Sequence, residues 1–422
     1  MEYSRAGRKL QEQIAKFSGK LCVGFPKVVG RFVAESIYGV QARGSVRLSE
    51  IGRALNESIP LKKTINRLSY ELSREGLWKS LTGAILSEAS RKIGKDTLLV
   101  LDLSDITKPY ARKMEYLSWV HDGSSGELGE GYSLCHVIGV ECGESGIVPL
   151  YSDLYSTIAP DFEGENKKIL SAMRTVRGAL GNNGIWVIDR GGDRNNLLIP
   201  LVKAGTQFII RLIGNRNLIY RGKAVLASRL AKTCPTWYSE SVAKESEGGE
   251  TSYLVSYGFR KVKLPGIGEQ LYLLVVNGFG AEPLMILTNR ELHKSRKCLW
   301  WHVMAYISRW RIEETIRFIK QSYSLEDIRL LTYQRLRNMM ALVNAAIFFA
   351  AAHLGLIAKL KILASYALGA AKRIFGIPDF RYYAIADGIR EILKRLKQPF
   401  PKNMVQNLNE PIQLELALFK GP

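Results

Sequence analysis

Two aspartates each close an apolar run. Leu98-Leu99-Val100-Leu101 leads into Asp102, and Ile185-Trp186-Val187-Ile188 leads into Asp189. Continuous apolar runs of this length read as buried strands. If the two strands are neighbours in one sheet, both carboxylates emerge at the same edge. Glu313, on a helical stretch, supplies a third acid. Three converging carboxylates can hold two Mg²⁺ ions about 4 Å apart, with Mn²⁺ able to substitute. Such ions prefer carboxylate oxygens and keep positions open for water and phosphate. One would activate an attacking water or 3′-OH, and the other would stabilise the leaving oxygen. The bland alternative is that a strand-end Asp is a cap or turn former. Asp105 and Asp193, close behind each Asp, are rivals for the same role.

The segment around Glu313 reads Tyr306-Ile307-Ser308-Arg309-Trp310-Arg311-Ile312-Glu313-Glu314-Thr315-Ile316-Arg317-Phe318-Ile319-Lys320. The apolar spacing predicts one long amphipathic helix over 300–323. Tyr306, Arg309, Glu313 and Lys320 then lie along one face, at about 3.6 residues per turn. A metal-binding carboxylate would be flanked by cations and a phenol suited to a DNA backbone. The alternative is a solvated face of Glu–Arg and Glu–Lys pairs.

These residues must be positioned by something, and the pattern of elements supplies it. Strands are expected ending at Asp102, over 133–142 and over 147–151. A helix is expected over 165–180, a strand ending at Asp189, a helix over 193–204 and a strand over 207–212. Three strands, a helix, a strand, a helix and a strand is the order of an RNase H-like sheet. From about 214 to 298, short β runs alternate with Gly and Pro turns. This reads as a β-rich insertion and not as a continuation of the sheet. Before residue 96 the chain reads as helices. Leu48–Leu55 and a second stretch from Leu61 resemble a helix-turn-helix, with Lys62, Lys63, Asn66 and Arg67 on its polar side for phosphates and base edges. The expected division is therefore a helical DNA-binding region over 1–95, an RNase H-like catalytic domain over 96–335, and a helical C-terminal domain over 336–422. The overall class is α/β.

Composition narrows the partner. Lys and Arg total 60 against 39 Asp and Glu, a formal net charge of +21. Such a surplus draws in polyanions, and double-stranded DNA is the expected partner. Five cysteines lie far apart without a CxxC pair, which excludes a zinc ribbon and a disulfide scaffold. With no apolar run at the N-terminus, a reducing, cytoplasmic compartment fits. Residues 339–357 have the length of a membrane span, but they contain Asn344 and His353, so a buried helix is expected.

Tyr306, Arg309, Glu313 and Lys320, as Y-x2-R-x3-E-x6-K, resemble the YREK signature of the insertion-sequence-4 family of DDE transposases. Asp102-Leu103-Ser104-Asp105-Ile106 resembles that family's first-aspartate motif. Trp186-Val187-Ile188-Asp189 followed by Gly191 resembles the second, and a β-rich insertion before the third acid is also a family feature. The resemblance implies that Asp102, Asp189 and Glu313 bind metal. It also implies that Tyr306, Arg309 and Lys320 contact phosphates near the transposon end. The family nicks DNA with water, forms and opens a hairpin through the freed 3′-OH, and joins the end to target DNA. Two subunits would hold two ends, so a homodimer on DNA, at the nucleoid of a prokaryote, is expected. In one respect the chain departs: some members carry a Trp after Glu-Pro that stacks on a flipped base, whereas Leu284 follows Glu282-Pro283 here. The rival readings are an RNase H-like nuclease that cuts without joining and a catalytically inactive DNA-binding relative.

Overall fold

The computed structural model describes residues 2–366, 381–396 and 398–401, apart from 122, 124, 125, 247 and 248. Five helices come first: α1 (Glu2–Leu21), α2 (Lys27–Arg43), α3 (Leu48–Leu55), α4 (Leu61–Leu72) and α5 (Leu77–Ser90). Helix α2 is buried from Val29 to Ala42 apart from Arg31. It is apolar nearly all round, as a central helix must be. It ends at Gly44, whose left-handed φ of 57° lets its N–H reach Val40 O, a turn that glycine makes without a Cβ penalty.

The main sheet follows, its longer strands and its helices in the expected order. It comprises β1 (Leu98–Thr107), the short β2 (Ser118–His121), β3 (Leu128–Val140), β4 (Ile147–Tyr155), α6 (Glu165–Leu180), β5 (Ile185–Ile188), α7 (Asn195–Lys203) and β6 (Phe208–Arg211). Across the sheet the strands run β4-β3-β1-β5-β6. β3 is antiparallel to β1 and to β4, while β1, β5 and β6 are parallel. Taken in chain order these strands lie third, second, first, fourth, fifth, the arrangement of an RNase H-like sheet.

The next segment corrects an expectation. A hairpin of β7 (Asn217–Tyr220) and β8 (Lys223–Leu226) and the short α8 (Ala227–Lys232) stand apart from the main sheet. After them, β9 (Tyr238–Ser246), β10 (Gly249–Val262), β11 (Leu271–Asn277) and β12 (Leu284–Thr288) form an antiparallel meander. β12 then pairs with the edge of β6 at Ile286↔Arg211, Leu287↔Ile210 and Thr288↔Ile209. The insertion is thus a continuation of the sheet, which reaches ten strands. An open edge at β6 presents unpaired backbone groups, and β12 satisfies them.

The long helix expected over 300–323 is two: α9 (Arg296–Ile307) and α10 (Trp310–Ser322). Ser308 and Arg309 form a tight turn, with Arg309 N–H on Tyr306 O and Ile312 N–H on Arg309 O, at 3.0 Å each. The Ser308 hydroxyl donates to Met304 O at 2.8 Å, the back-bonding that bends helices. Then come α11 (Tyr333–Phe348), a π-turn over Phe349–His353, α12 (Leu356–Tyr366) and α13 (Tyr382–Lys394). Residues 367–380 and 402–422 of the expected C-terminal region lie outside the described residues.

Tyr333–His353 is the one helix among the described residues long and apolar enough to cross a membrane, and 89% of its window is buried inside the protein. Its polar side chains are cross-links within that core. Asn338 Nδ2 donates to Leu72 O and Arg74 O, and Asn338 Oδ1 accepts from Trp78 N–H. Arg337 pairs with Asp153 on β4, which also pairs with Lys168 on α6. α11 packs against α2, α5 and β4, so the helices before the sheet and after it share one core.

Candidate active site

The register of the sheet places the two aspartates. β1 and β5 pair through Val100↔Val187, and Asp102 and Asp189 each lie two residues further on. Asp189 follows the last residue of β5, whereas β1 does not end at Asp102 as expected but runs on to Thr107 along β3, so Asp102 lies mid-strand, just past the point where its pairing with β5 stops. Asp102 Oδ1 accepts from the Leu103 N–H at 2.9 Å. Asp189 caps the short 3₁₀ turn Arg190–Gly192 by accepting from Gly191 N–H at 2.7 Å. That contact fixes the carboxylate where the strand ends.

Helix α10 brings the third acid. Glu313 lies in its first turn and is exposed. Arg309 forms an ion pair with Glu313 and reaches Asp102 Oδ2 at 3.6 Å, so one guanidinium stands between two of the three acids. The Asp102 carboxyl is pushed up to about 7, first by burial and then by the charges of Asp189 and Glu313, with Arg309 opposing them. The site is short of positive charge.

Among the described residues, no three of His, Cys, Asp and Glu stand close enough together to hold a metal ion. Asp102 feels the charges of Asp189 and Glu313, and Arg309 lies between Asp102 and Glu313. The donor chemistry nevertheless fits a hard divalent cation: three carboxylates, with the most buried one unfavourable as an anion unless a cation joins it.

The other expected residues fall into two groups. Tyr306 is buried, and its hydroxyl lies against Arg309 and Arg211. Lys320 Nζ is 3.7 Å from Asp105 and 3.6 Å from Glu326. Both belong to the neighbourhood of the acids, although the turn at Ser308 means that they do not share one straight helix face. Asp105 and Asp193, the rivals, are both buried and otherwise engaged. Asp105 faces Lys320 and the Gly123 N–H. Asp193 pairs with Arg216 and accepts from Ile213 N–H.

Far from this edge, α3 and α4 form the two short helices expected. Lys62, Lys63 and Asn66 are exposed on α4. Arg67 is partly buried, and its guanidinium pairs with Glu35 on α2 and, at 2.8 Å, with Glu57, fastening α4 to α2.

A cleft of about 440 Å³ opens beside the acids, with Arg211, Leu284, Tyr306, Arg309 and Trp310 in its wall. Leu284 is there, but so are two residues that sequence reasoning passed over. Arg211 ends β6, next to the strand that carries Asp189, and this strand-end position was the signal that could have found it. Trp310 lies in the stretch expected as one continuous amphipathic helix.

An RNase H-like sheet with two aspartates at one edge and a glutamate beside them is the frame of enzymes that break phosphodiester bonds. Residues 157–349 match the family model of the transposase DDE domain. That stretch contains Asp189 and Glu313 and begins beyond Asp102. No curated protein matches the chain. Among solved structures, a piggyBac transposase synaptic complex with hairpin DNA overlaps with a TM-score of 0.36 at 10% identity, over 84% of this chain. The chain spans 62% of the length of that protein, and an overlap this loose carries no argument.

Proposed function

We propose that the protein is a DNA transposase of the cut-and-paste type, of the insertion-sequence-4 family, working through Asp102, Asp189 and Glu313. One observation carries this reading. Asp102 and Asp189 stand on neighbouring parallel strands and Asp102 feels the charges of Asp189 and Glu313, in a chain whose residues 157–349 match the family model of a transposase DDE domain. The net charge of +21 favours DNA as the partner.

In this reading the three carboxylates hold divalent ions, Mg²⁺ or in its place Mn²⁺. When bound, such ions supply Lewis acidity to a water or 3′-OH and to the leaving oxygen. Arg309, once released from Asp102 and Glu313, turns to a phosphate, as do Lys320 and the Tyr306 hydroxyl. Arg211 holds the Tyr306 phenol in place. Exposed Lys62, Lys63 and Asn66 bind the inverted repeats. Two copies on DNA hold two ends, in the cytoplasm at the nucleoid.

The test uses pre-cut ends, taken from the inverted repeats flanking the gene, with a plasmid target. Asp102→Asn, Asp189→Asn and Glu313→Gln should each lower strand transfer by roughly a thousandfold or more. If all three keep wild-type joining, the assignment is wrong. Hydrolysis without any joined product would instead favour a nuclease that does not transfer strands.

A further inference from the structure

A second cleft, of about 340 Å³, lies beyond the acids. Its walls come from the turn after Asp189, the loop leaving β6 and the turn after β10. We propose that it receives an unpaired nucleobase of the DNA strand handled by the acids, at a subsite separate from the cleft at Leu284. The inference rests on the reading of the protein as a DNA-cutting enzyme.

Position comes first. β5 and β6 are parallel neighbours, so the loops that leave their C-terminal ends emerge on one edge. Asp189 is on the first of those loops, and Asp193, in the cleft wall, follows four residues later. Arg190, between them, is exposed. A strand lying at Asp189 therefore has a cation and then this cleft beside it.

Charge decides what the cleft can take. Asp193 and Arg216 are both largely buried and pair with each other. Arg216 Nη1 also donates to Asn195 Oδ1 at 2.8 Å, and Nη2 to Asp193 O at 3.0 Å. Every nitrogen of the guanidinium is committed, and its charge is compensated. The cleft thus offers no unspent cation to a phosphate or carboxylate, and an ion would be poorly matched there.

What remains is neutral. Asn215 and Asn217 line the cleft, and both residues are exposed. An amide offers a donor and an acceptor at once, the pattern on the edge of a base. Ile213, Leu264 and Pro265 supply apolar surface. A planar neutral ring with a polar edge and apolar faces fits this lining, and a base can enter only where it is not stacked in a duplex.

The full-length protein can be titrated, by fluorescence anisotropy, with short labelled single strands of dA, of dC and of dT, and with an abasic strand of equal length. The wild type should bind one homopolymer about tenfold tighter than the abasic strand, the scale of one well-matched base contact. The double variant Asn215→Ala/Asn217→Ala should lose that preference while its binding to the abasic strand stays unchanged. Ile213→Trp, which fills the cleft from an exposed position, should do the same. If both variants keep the wild-type preference, or if the wild type does not prefer a base over its absence, the subsite is refuted. Failure to bind any strand or duplex would strike at the DNA reading itself and would remove the subsite with it.

Discussion

Arg309 touches two of the three acids, and this contact governs how a cation can enter. A divalent ion and a guanidinium compete for the same carboxylate oxygens. Arg309→Gln keeps a polar side chain and removes the competing charge. Mn²⁺ binding to the DNA-free variant, followed by electron paramagnetic resonance, should tighten by about tenfold, equivalent to roughly 1.4 kcal/mol. Strand transfer should fall, because the same arginine is assigned to a phosphate. An unchanged Mn²⁺ affinity would mean that Arg309 is a bystander at the acids. The adjacency of the two aspartates was legible because each follows an apolar run that forms a parallel strand, whereas Glu313 was singled out by its spacing from Tyr306, Arg309 and Lys320. The Arg309–Glu313 pair was legible from its four-residue spacing on a helix. The reach of Arg309 to Asp102 was not, since the two are more than two hundred positions apart in sequence. For the same reason nothing in Lys62-Lys63-Thr64-Ile65-Asn66-Arg67 showed that Glu35 and Glu57 already hold Arg67.

At the level of elements, the order of strands and helices in the main sheet followed from hydrophobic patterning, and α6 falls where that pattern puts it. Two features did not follow. Alternating strands look the same whether they close on themselves or add to an existing edge, so the union of β12 with β6 depended on three residue pairs that no local pattern reveals. The break between α9 and α10 depends on Ser308, whose hydroxyl competes for a backbone carbonyl without interrupting the apolar periodicity. The docking of α11 on β4 was equally hidden, and it rests on a buried charge. Asp153 is 1% exposed and is held by Arg337 and Lys168. These cations keep its carboxyl below its ordinary value, although burial pushes the other way. Removing one partner of such a pair costs about 3–5 kcal/mol, because the remaining charge stays buried. Arg337→Met should therefore lower the urea-unfolding free energy by about that amount. Adding Asp153→Asn should recover part of the loss. A double variant less stable than either single variant would show that Arg337 acts by packing on Trp78, over which it lies at 3.7 Å, and not by neutralising Asp153.

The whole molecule carries a large positive charge, and its response to acid depends on groups that the native state keeps neutral. His136, His302 and His353 are all largely buried, and burial is the first cause that lowers each of them. His136 falls to about 3, and His302 and His353 to about 4. Nearby cations act in the same direction: Lys320 on His136, Arg290 on His302, and Lys20 with Lys92 on His353. A histidine in the unfolded chain takes up its proton near pH 6.5. Below that value the unfolded state binds protons that the native state refuses, so stability is full above about pH 6.5 and is lost as the pH falls toward 4. Each extra proton contributes a slope of about 1.4 kcal/mol per pH unit. Three histidines together give about 4 kcal/mol per unit near pH 5, of which Asp102, raised to about 7 and so protonated in the native state there, offsets about 1.4 kcal/mol per unit. Urea unfolding measured from about pH 7.5 down to pH 5 should show this decline. Replacing His302 with Gln should lower the slope by about 1.4 kcal/mol per unit. A flat profile across that range would mean that water reaches these rings in the native state, and the tight core drawn around α9 and α11 would then be incorrect. Such a loss cannot come from carboxylates held low by their partners, such as Asp153 and Glu57, because those groups act only at more acidic pH.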